Sequence, residues 1–566
     1  MTETIISIQD LKFRYRGQHE PALNGLSFDV DQGDFLVIMG HSGAGKSTLS
    51  ACMNGLVPHF HRGAFKGDVV VLGLNTRDQT VAQMSEKLGM VFQDFEAQLF
   101  STNVELEVAF GPENFAVSRE EIARRIDKNL SLVGLDGLRD RAPSTLSGGQ
   151  KQKLAIASVL AMQTPILVMD EPTTDLDPIS KQGVFEIAKQ LRQRSDLTLI
   201  VVEHETEEAL HADRVLLLKD GEILRQGPAS EMLREVELMQ ETGVMPLGVP
   251  LFFKRMEAPY LPLTVEKGLE HFEKNGWALS NERYADLVAR DAARREQRKS
   301  VLIHCEGLEH TYPSGVEALK GVDLDIHQGE IIGVVGQNGS GKTTLVKHFN
   351  GLLMPTGGEI DVDGAPTEEQ GVFNLGKKVG YVFQNPDHQI FSETVFEEVS
   401  YSLRLREMDD EKIKTRVEEA LAAVGLTGME EADPFSMTKS GRQRVAVASV
   451  LAIKPDVLIL DEPTTGLDYR EQRNMMNLVR EMNARGSTII FVTHHMWVVA
   501  EYADRVFVVK DGKILLEGTT REVFSQEEVL RDAYLRPPQL VRLSNRLGKT
   551  LLDIEEFMHC TITEEA

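Results

Sequence analysis

Two lysines carry the most pointed chemistry in this chain of 566 residues. Lys46 belongs to Gly40-His41-Ser42-Gly43-Ala44-Gly45-Lys46-Ser47-Thr48, and Lys342 to Gly336-Gln337-Asn338-Gly339-Ser340-Gly341-Lys342-Thr343-Thr344. Glycines at this spacing let successive backbone N–H groups converge on phosphate oxygens. The lysine then reaches the β- and γ-phosphates, and the hydroxyl of Ser47 or Thr343 suits a Mg²⁺ ion. Two carboxylate pairs complement the loops: Asp170-Glu171 ends the apolar run 166–169, and Asp461-Glu462 ends the run 457–460. At the C-terminal edge of a parallel strand, the first carboxylate of each pair is placed to ligate the metal and the second to polarise an attacking water. A further glycine turn, Leu146-Ser147-Gly148-Gly149-Gln150, precedes a helical apolar run. Such a turn admits a phosphate close to the backbone and aims helix N-terminal N–H groups at it.

These residues need a scaffold of parallel strands, and the hydrophobic pattern provides one. The runs 35–39 and 331–335 lead directly into the glycine loops, giving strand, loop and helix in order. Third runs, 197–202 and 489–493, end at His204 and His494. Alternation at 6–8 and 26–30 predicts short antiparallel strands beside this α/β core. The whole series occurs twice in nearly fixed register: 291 residues separate Gln93 from Gln384 and Asp170 from Asp461. Two copies of one nucleotide-binding domain, 1–235 and 301–530, are therefore expected in tandem. Between them 236–300 is an extension and linker; four prolines at 246–262 break its first part, which reads as a packed extension of the first domain. The charged run 290–298 reads as a solvated linker helix, and 531–566 as a C-terminal tail.

A net charge of −26 argues against a surface that coats nucleic acid and against a polybasic membrane anchor. Three cysteines, Cys52, Cys305 and Cys560, lie too far apart for metal-ligand spacing and fit a reducing cytoplasm. No apolar run reaches the roughly 18–20 residues of a membrane helix, and Met1-Thr2-Glu3-Thr4 does not open a signal peptide. His59 and His61 lack carboxylate support and read as ordinary loop residues rather than metal ligands.

With two phosphate loops, a signature-type turn and a histidine after the third strand, each half resembles an ABC ATPase domain. Such a domain has a RecA-like core, an antiparallel β subdomain and a helical subdomain. The closer resemblance is to the ATPases of energy-coupling factor (ECF) transporters, which import vitamins or transition-metal ions. It rests on Val382-Phe383-Gln384-Asn385-Pro386-Asp387-His388-Gln389-Ile390-Phe391 and the related Val91-Phe92-Gln93-Asp94-Phe95-Glu96-Ala97-Gln98-Leu99-Phe100, supported by the segments 54–60 and 108–114. The resemblance implies ATP and Mg²⁺ as ligands, Tyr15 and Tyr312 stacking on adenine, and Gln93 and Gln384 near the metal and the transport partner. It also implies Glu171 and Glu462 as catalytic bases, His204 and His494 at the γ-phosphate, and Asp177 and Asp468 in the D-loops.

In this family two halves pair head to tail, so the turn at Leu146 to Gln150 would close on ATP held by Lys342, Thr343, Asp461 and Glu462. Its register twin is Met437-Thr438-Lys439-Ser440-Gly441, in which both glycines of the turn are replaced. A side chain at Lys439 hinders close approach, although its ammonium can still meet phosphate as a point charge. One complete site and one degenerate, slowly hydrolysing site are the expectation. The implied partners are a transmembrane coupling subunit and a substrate-binding membrane subunit, with the chain peripheral on the cytoplasmic face. Asp94, Glu96, Asp387 and Glu393 are candidate acceptors for basic coupling helices. The alternative is a soluble tandem ABC ATPase acting on the ribosome, against which the proline-broken stretch 246–262 and the glutamine loops both argue.

Overall fold

The computed structural model describes residues 3–173, 176, 178–192, 197–298 and 300–563. Asp177 lies outside the described residues, as do the last three residues of the tail. The chain divides into two compact units, Met1–Leu251 and Phe252–Ala566.

In the first unit a sheet of six strands runs Glu222–Pro228, Arg214–Lys219, Phe35–Met39, Thr198–Val202, Ile166–Asp170 and Leu88–Val91. Its four central pairings are parallel, and the last hairpin is antiparallel. Every residue of the central strands Phe35–Met39, Thr198–Val202 and Ile166–Asp170 is buried, which is why these runs are apolar without alternation. The second unit repeats the sheet as Val379–Val382, Val457–Asp461, Thr488–Val492, Ile331–Gly336, Arg505–Lys510 and Lys513–Thr519. Within each unit, the parallel strands place the carboxylate pair and the phosphate loop at one edge of that unit's sheet, where ligands of such sheets bind.

Each unit adds an antiparallel sheet: Leu23–Asp31, Thr4–Tyr15, Gly63–Val71 and Leu74–Asn75 in the first, and Glu317–His327, Val301–Thr311, Gly357–Val362 and Ala365–Pro366 in the second. The alternating residues Ile6, Ile8, Phe28 and Val30 face the core there, as their spacing requires. Each unit also carries three helices beside its core sheet. They are Val104–Asn114, Arg119–Val133 and Gly148–Ala161, and then Val395–Arg404, Asp410–Ala423 and Lys439–Leu451.

The stretch between the repeats and the tail have a joint structure. From Phe252 onward the chain packs within the second unit together with the last helices. Phe252 stacks on Phe557 with ring centroids 4.1 Å apart, and Phe272 and Trp277 pack around Phe252. Ala278–Leu279 pairs antiparallel with Thr561–Ile562, and Gln539 donates to the Leu263 carbonyl at 2.9 Å. The charged segment forms the helix Asn281–Glu296, whose only buried residue is Leu287. It is a surface helix, as its charge suggests, but it is fastened rather than free. Arg290 and Arg521 both meet Glu556, and Arg521 also meets Asp291. The boundary between the two units falls inside the proline-broken stretch, after Leu251. The partners of Arg290 and Asp291 in the helix Asn281–Glu296 lie more than 200 residues further along.

Candidate functional site

The phosphate loops are shaped by glycine where no other residue fits. Gly45 and Gly341 have φ of 100° and 106°, and a Cβ there would meet the Ala22 and Ala318 carbonyl oxygens at 2.5 Å. Gly40 and Gly336 are similarly confined by Leu218 and Val509, whereas Gly43 and Gly339, with φ of 80° and 77°, face open space. Ser42 and Asn338 sit on the exposed rim of the loops. The buried Lys46 ammonium donates to the carbonyls of Gly40 and His41 at 2.9 Å, and Lys342 donates to those of Gly336 and Gln337 at 2.9 and 2.6 Å. Both lysines are thereby aimed into the curve of their own loops.

Tyr15 and Tyr312 adjoin these loops through their hydroxyls, which lie 3.0 Å from the Thr48 and Thr344 hydroxyls. The rings pack edge-on against Phe13 and His310, respectively.

At the strand ends, Glu171 and Glu462 adopt left-handed backbone conformations with φ of 47° and 51°. That is costly for a side-chain-bearing residue, and such strain collects where geometry is dictated by function. Glu171 is held from two sides: Gln93 Nε2 donates to Oε2 at 2.7 Å, and His204 Nε2 lies 2.6 Å from Oε1. Glu462 meets His494 Nδ1 at 2.9 Å and accepts from the Thr465 hydroxyl at 3.3 Å. Burial alone would raise the Glu462 carboxyl, but His494 brings it down to about 2, so it is ionised at neutral pH. Gln384 is exposed and makes no side-chain hydrogen bond among the described residues.

The aspartates are deeply buried, and burial raises both: Asp170 to about 6, partly offset by Ser47, and Asp461 in the same direction. Thr343 donates to Asp461 Oδ1 at 3.3 Å, whereas Asp170 Oδ1 is buried without a hydrogen-bond partner among the described residues. A bare buried carboxylate oxygen with a serine or threonine hydroxyl beside it is the oxygen donor set of a Mg²⁺ site, so the residues fit that ion. Among the described residues there is no cluster of three or more His, Cys, Asp and Glu side chains arranged for a metal. His59 instead contacts the Thr76 carbonyl.

The two signature turns share a backbone and differ in side chains. Ser147 caps the helix Gly148–Ala161 by accepting from Gln150 N at 3.3 Å, and Gln150 Oε1 accepts from Ser147 N at 3.0 Å. Gly148 borders open space, while a Cβ on Gly149 would lie 2.0 Å from the Ser180 hydroxyl. In the twin, Thr438 still caps by accepting from Gly441 N at 3.2 Å, but the return bond is lost because Gly441 has no side chain. The exposed Lys439 lays its side chain over Gly466. Asp468 caps the helix Tyr469–Ala484 by accepting from Glu471 N at 2.9 Å.

Of the four acidic residues near the glutamine loops, Glu96 pairs with Lys151 and Asp387 with Arg442, both within their own halves. Beside them stand two exposed aromatic pairs, Phe100 on Phe110 and Phe391 on Tyr401, with centroids 4.5 and 4.7 Å apart. Neither pair stands out in the sequence, since each joins residues ten apart across a loop and a helix. Three other neighbours of the site also escaped notice. Glu203 accepts from the Thr173 hydroxyl and the His204 N–H, and His495 Nδ1 lies 2.8 Å from the Thr464 hydroxyl. The Tyr381 hydroxyl donates to Asp461 Oδ2 at 2.7 Å. An alternation signal shows such residues only as strand or loop members.

A family model described as ABC transporter matches residues 23–174 and again 319–465. A protein named as an ABC transporter ATP-binding protein from Caldanaerobacter subterraneus subsp. tengcongensis is 52% identical over 99% of this chain and 99% of its own length. One from Methanosarcina acetivorans is 39% identical over 98% of this chain and 92% of its own. Among solved structures, cbiO1 of Clostridium perfringens, part of the ABC transporter complex cbiONQ, is 37% identical over 44% of this chain and 99% of its own, with a TM-score of 0.39.

Proposed function

This chain belongs to the ABC transporter family as a tandem ATP-binding protein that hydrolyses ATP, and we propose that it energises an ECF-type importer of a vitamin or a transition-metal ion. The observation that carries the importer reading is the environment of the two glutamine loops. Each is followed by a Gln-[Leu/Ile]-Phe segment of ECF type, and each segment presents its phenylalanine, Phe100 or Phe391, about 60% exposed beside a second aromatic ring. Exposed apolar rings rimmed by charge favour a protein partner. The occupant we assign is a coupling helix of a transmembrane subunit, with a separate membrane subunit binding the solute. No helix among the described residues is long and apolar enough to cross a membrane, so the chain would act peripherally at the cytoplasmic face.

In this reading the ATP on Lys342 is hydrolysed against the signature at Leu146 to Gln150, and the ATP on Lys46 faces the degenerate Met437 to Gly441. Water attacks the γ-phosphorus, the bond to the β-phosphate oxygen breaks, and ADP and inorganic phosphate leave. Glu462 takes the water proton, and His494 holds that carboxylate in place. Thr343 and Asp461 would hold Mg²⁺, as Ser47 and Asp170 would in the other half; when bound, the ion offsets phosphate charge.

Affinity purification from native membranes tests the assignment. Recovery of a transmembrane protein pair is expected, lost when Phe100 and Phe391 are both changed to Asp. Recovery of ribosomes in its place would establish the soluble alternative.

A further inference from the structure

The two metal-side aspartates occupy equivalent strand ends but are held differently. Asp461 is bound through both oxygens, Oδ1 by Thr343 and Oδ2 by Tyr381. The strand next to it, Val379–Val382, contributes that tyrosine, which is 7% exposed. In the first half the same register position is Met90, on Leu88–Val91, and Asp170 keeps a buried oxygen with no hydrogen-bond partner among the described residues. A thioether has no proton to give, and here it is approached by the Asn54 amide instead.

We infer that Tyr381 is a positioning residue for the metal: its hydroxyl fixes the Asp461 carboxylate so that the opposite oxygen faces Thr343, and the second half therefore binds its divalent cation more tightly than the first. The inference rests on the Mg²⁺ reading of this site. Groups that orient a metal ligand from behind typically change metal affinity by about 10–100-fold when removed. Phe383 packs edge-on against Tyr381 at 5.0 Å and limits the ring's freedom to leave Asp461.

The test uses the full chain carrying Lys46→Ala, which confines nucleotide to the second loop. Mn²⁺ binding is titrated by electron paramagnetic resonance in the presence of the β,γ-imido analogue of ATP. Tyr381→Phe, which removes only the hydroxyl, is expected to weaken Mn²⁺ binding about tenfold. Tyr381→Met, which copies the first half, should do the same. Binding of a fluorescent ATP analogue in EDTA should be unchanged in both variants, a result that general loosening of the fold would not give. Unchanged Mn²⁺ affinity, or equal losses with and without metal, would overturn the inference while leaving the metal site standing. Absence of Mn²⁺ binding in the parent would overturn the metal reading and this inference with it.

Discussion

Both halves hold their glutamate, but the first does so with its loop glutamine and leaves one aspartate oxygen bare, whereas the second binds both aspartate oxygens and keeps its loop glutamine apart. Glu171 is met by Gln93 and His204, while Asp170 retains a bare oxygen. Asp461 is met by Thr343 and Tyr381, while Gln384 stands away from Glu462. The imidazoles differ as well: His204 presents Nε2 to its glutamate and His494 presents Nδ1. Strand register has been kept through the duplication, because shifting it would expose buried faces. Side chains that only tune the site were free to diverge. The lesson is that two domains with the same elements in the same order need not hold their nucleotides alike.

The two halves should differ most at Glu171 and Glu462, the proposed general bases. In steady-state ATPase assays of the assembled complex, Glu462→Gln should lower turnover about 10²-fold or more, the usual worth of a general base. Glu171→Gln should lower it only several-fold, and equal losses would refute the asymmetry. Next in size is the ionic clamp found in the second unit. Glu556→Gln removes one partner of a buried pair with Arg521, which costs about 3–5 kcal/mol. The loss should appear in the thermal transition of the second unit and not the first.

Its pH dependence has a definite sign. Burial acts to raise the Glu556 carboxyl, but Arg521 outweighs it and leaves the group below its usual range. The clamp is therefore fully stabilising above the ordinary carboxylate pKa and is lost as pH falls through the lowered value. The glutamine variant should lack that part of the acid destabilisation. The smallest effect distinguishes the two signature helices. Ser147→Ala removes a reciprocal cap and should cost about 1 kcal/mol, whereas Thr438→Ala removes a single bond and should cost less, measured by denaturant titration.

Much of the site could be read from the chain because its chemistry is local. A loop from Gly40 to Ser47 is specified by its own eight residues, and the strands before the carboxylates announce themselves by continuous apolar runs. The repeat then supplied the second copy. What escaped sequence reasoning depends on distance. Tyr381 and Asp461 are 80 residues apart, and a tyrosine in a buried strand carries no mark of the carboxylate it serves. The arginines of the helix Asn281–Glu296 look like a solvated run because their partners, Glu556 among them, belong to a tail with no motif of its own. The ion pairs of Glu96 with Lys151 and of Asp387 with Arg442 are hidden for the same reason, since the bases belong to the signature helices further along the chain.

The joint packing of the inter-repeat stretch with the tail also sets a timetable for synthesis. Arg290 meets Glu556 only after 266 further residues have been added. At about 5–20 residues per second, that interval is roughly 13–50 s. For at least that time Phe252 and Phe272 lack the ring of Phe557 that packs on them in the finished protein. A nascent chain halted before its last thirty residues would present that aromatic cluster to solvent and to chaperones, with the second nucleotide-binding core already made.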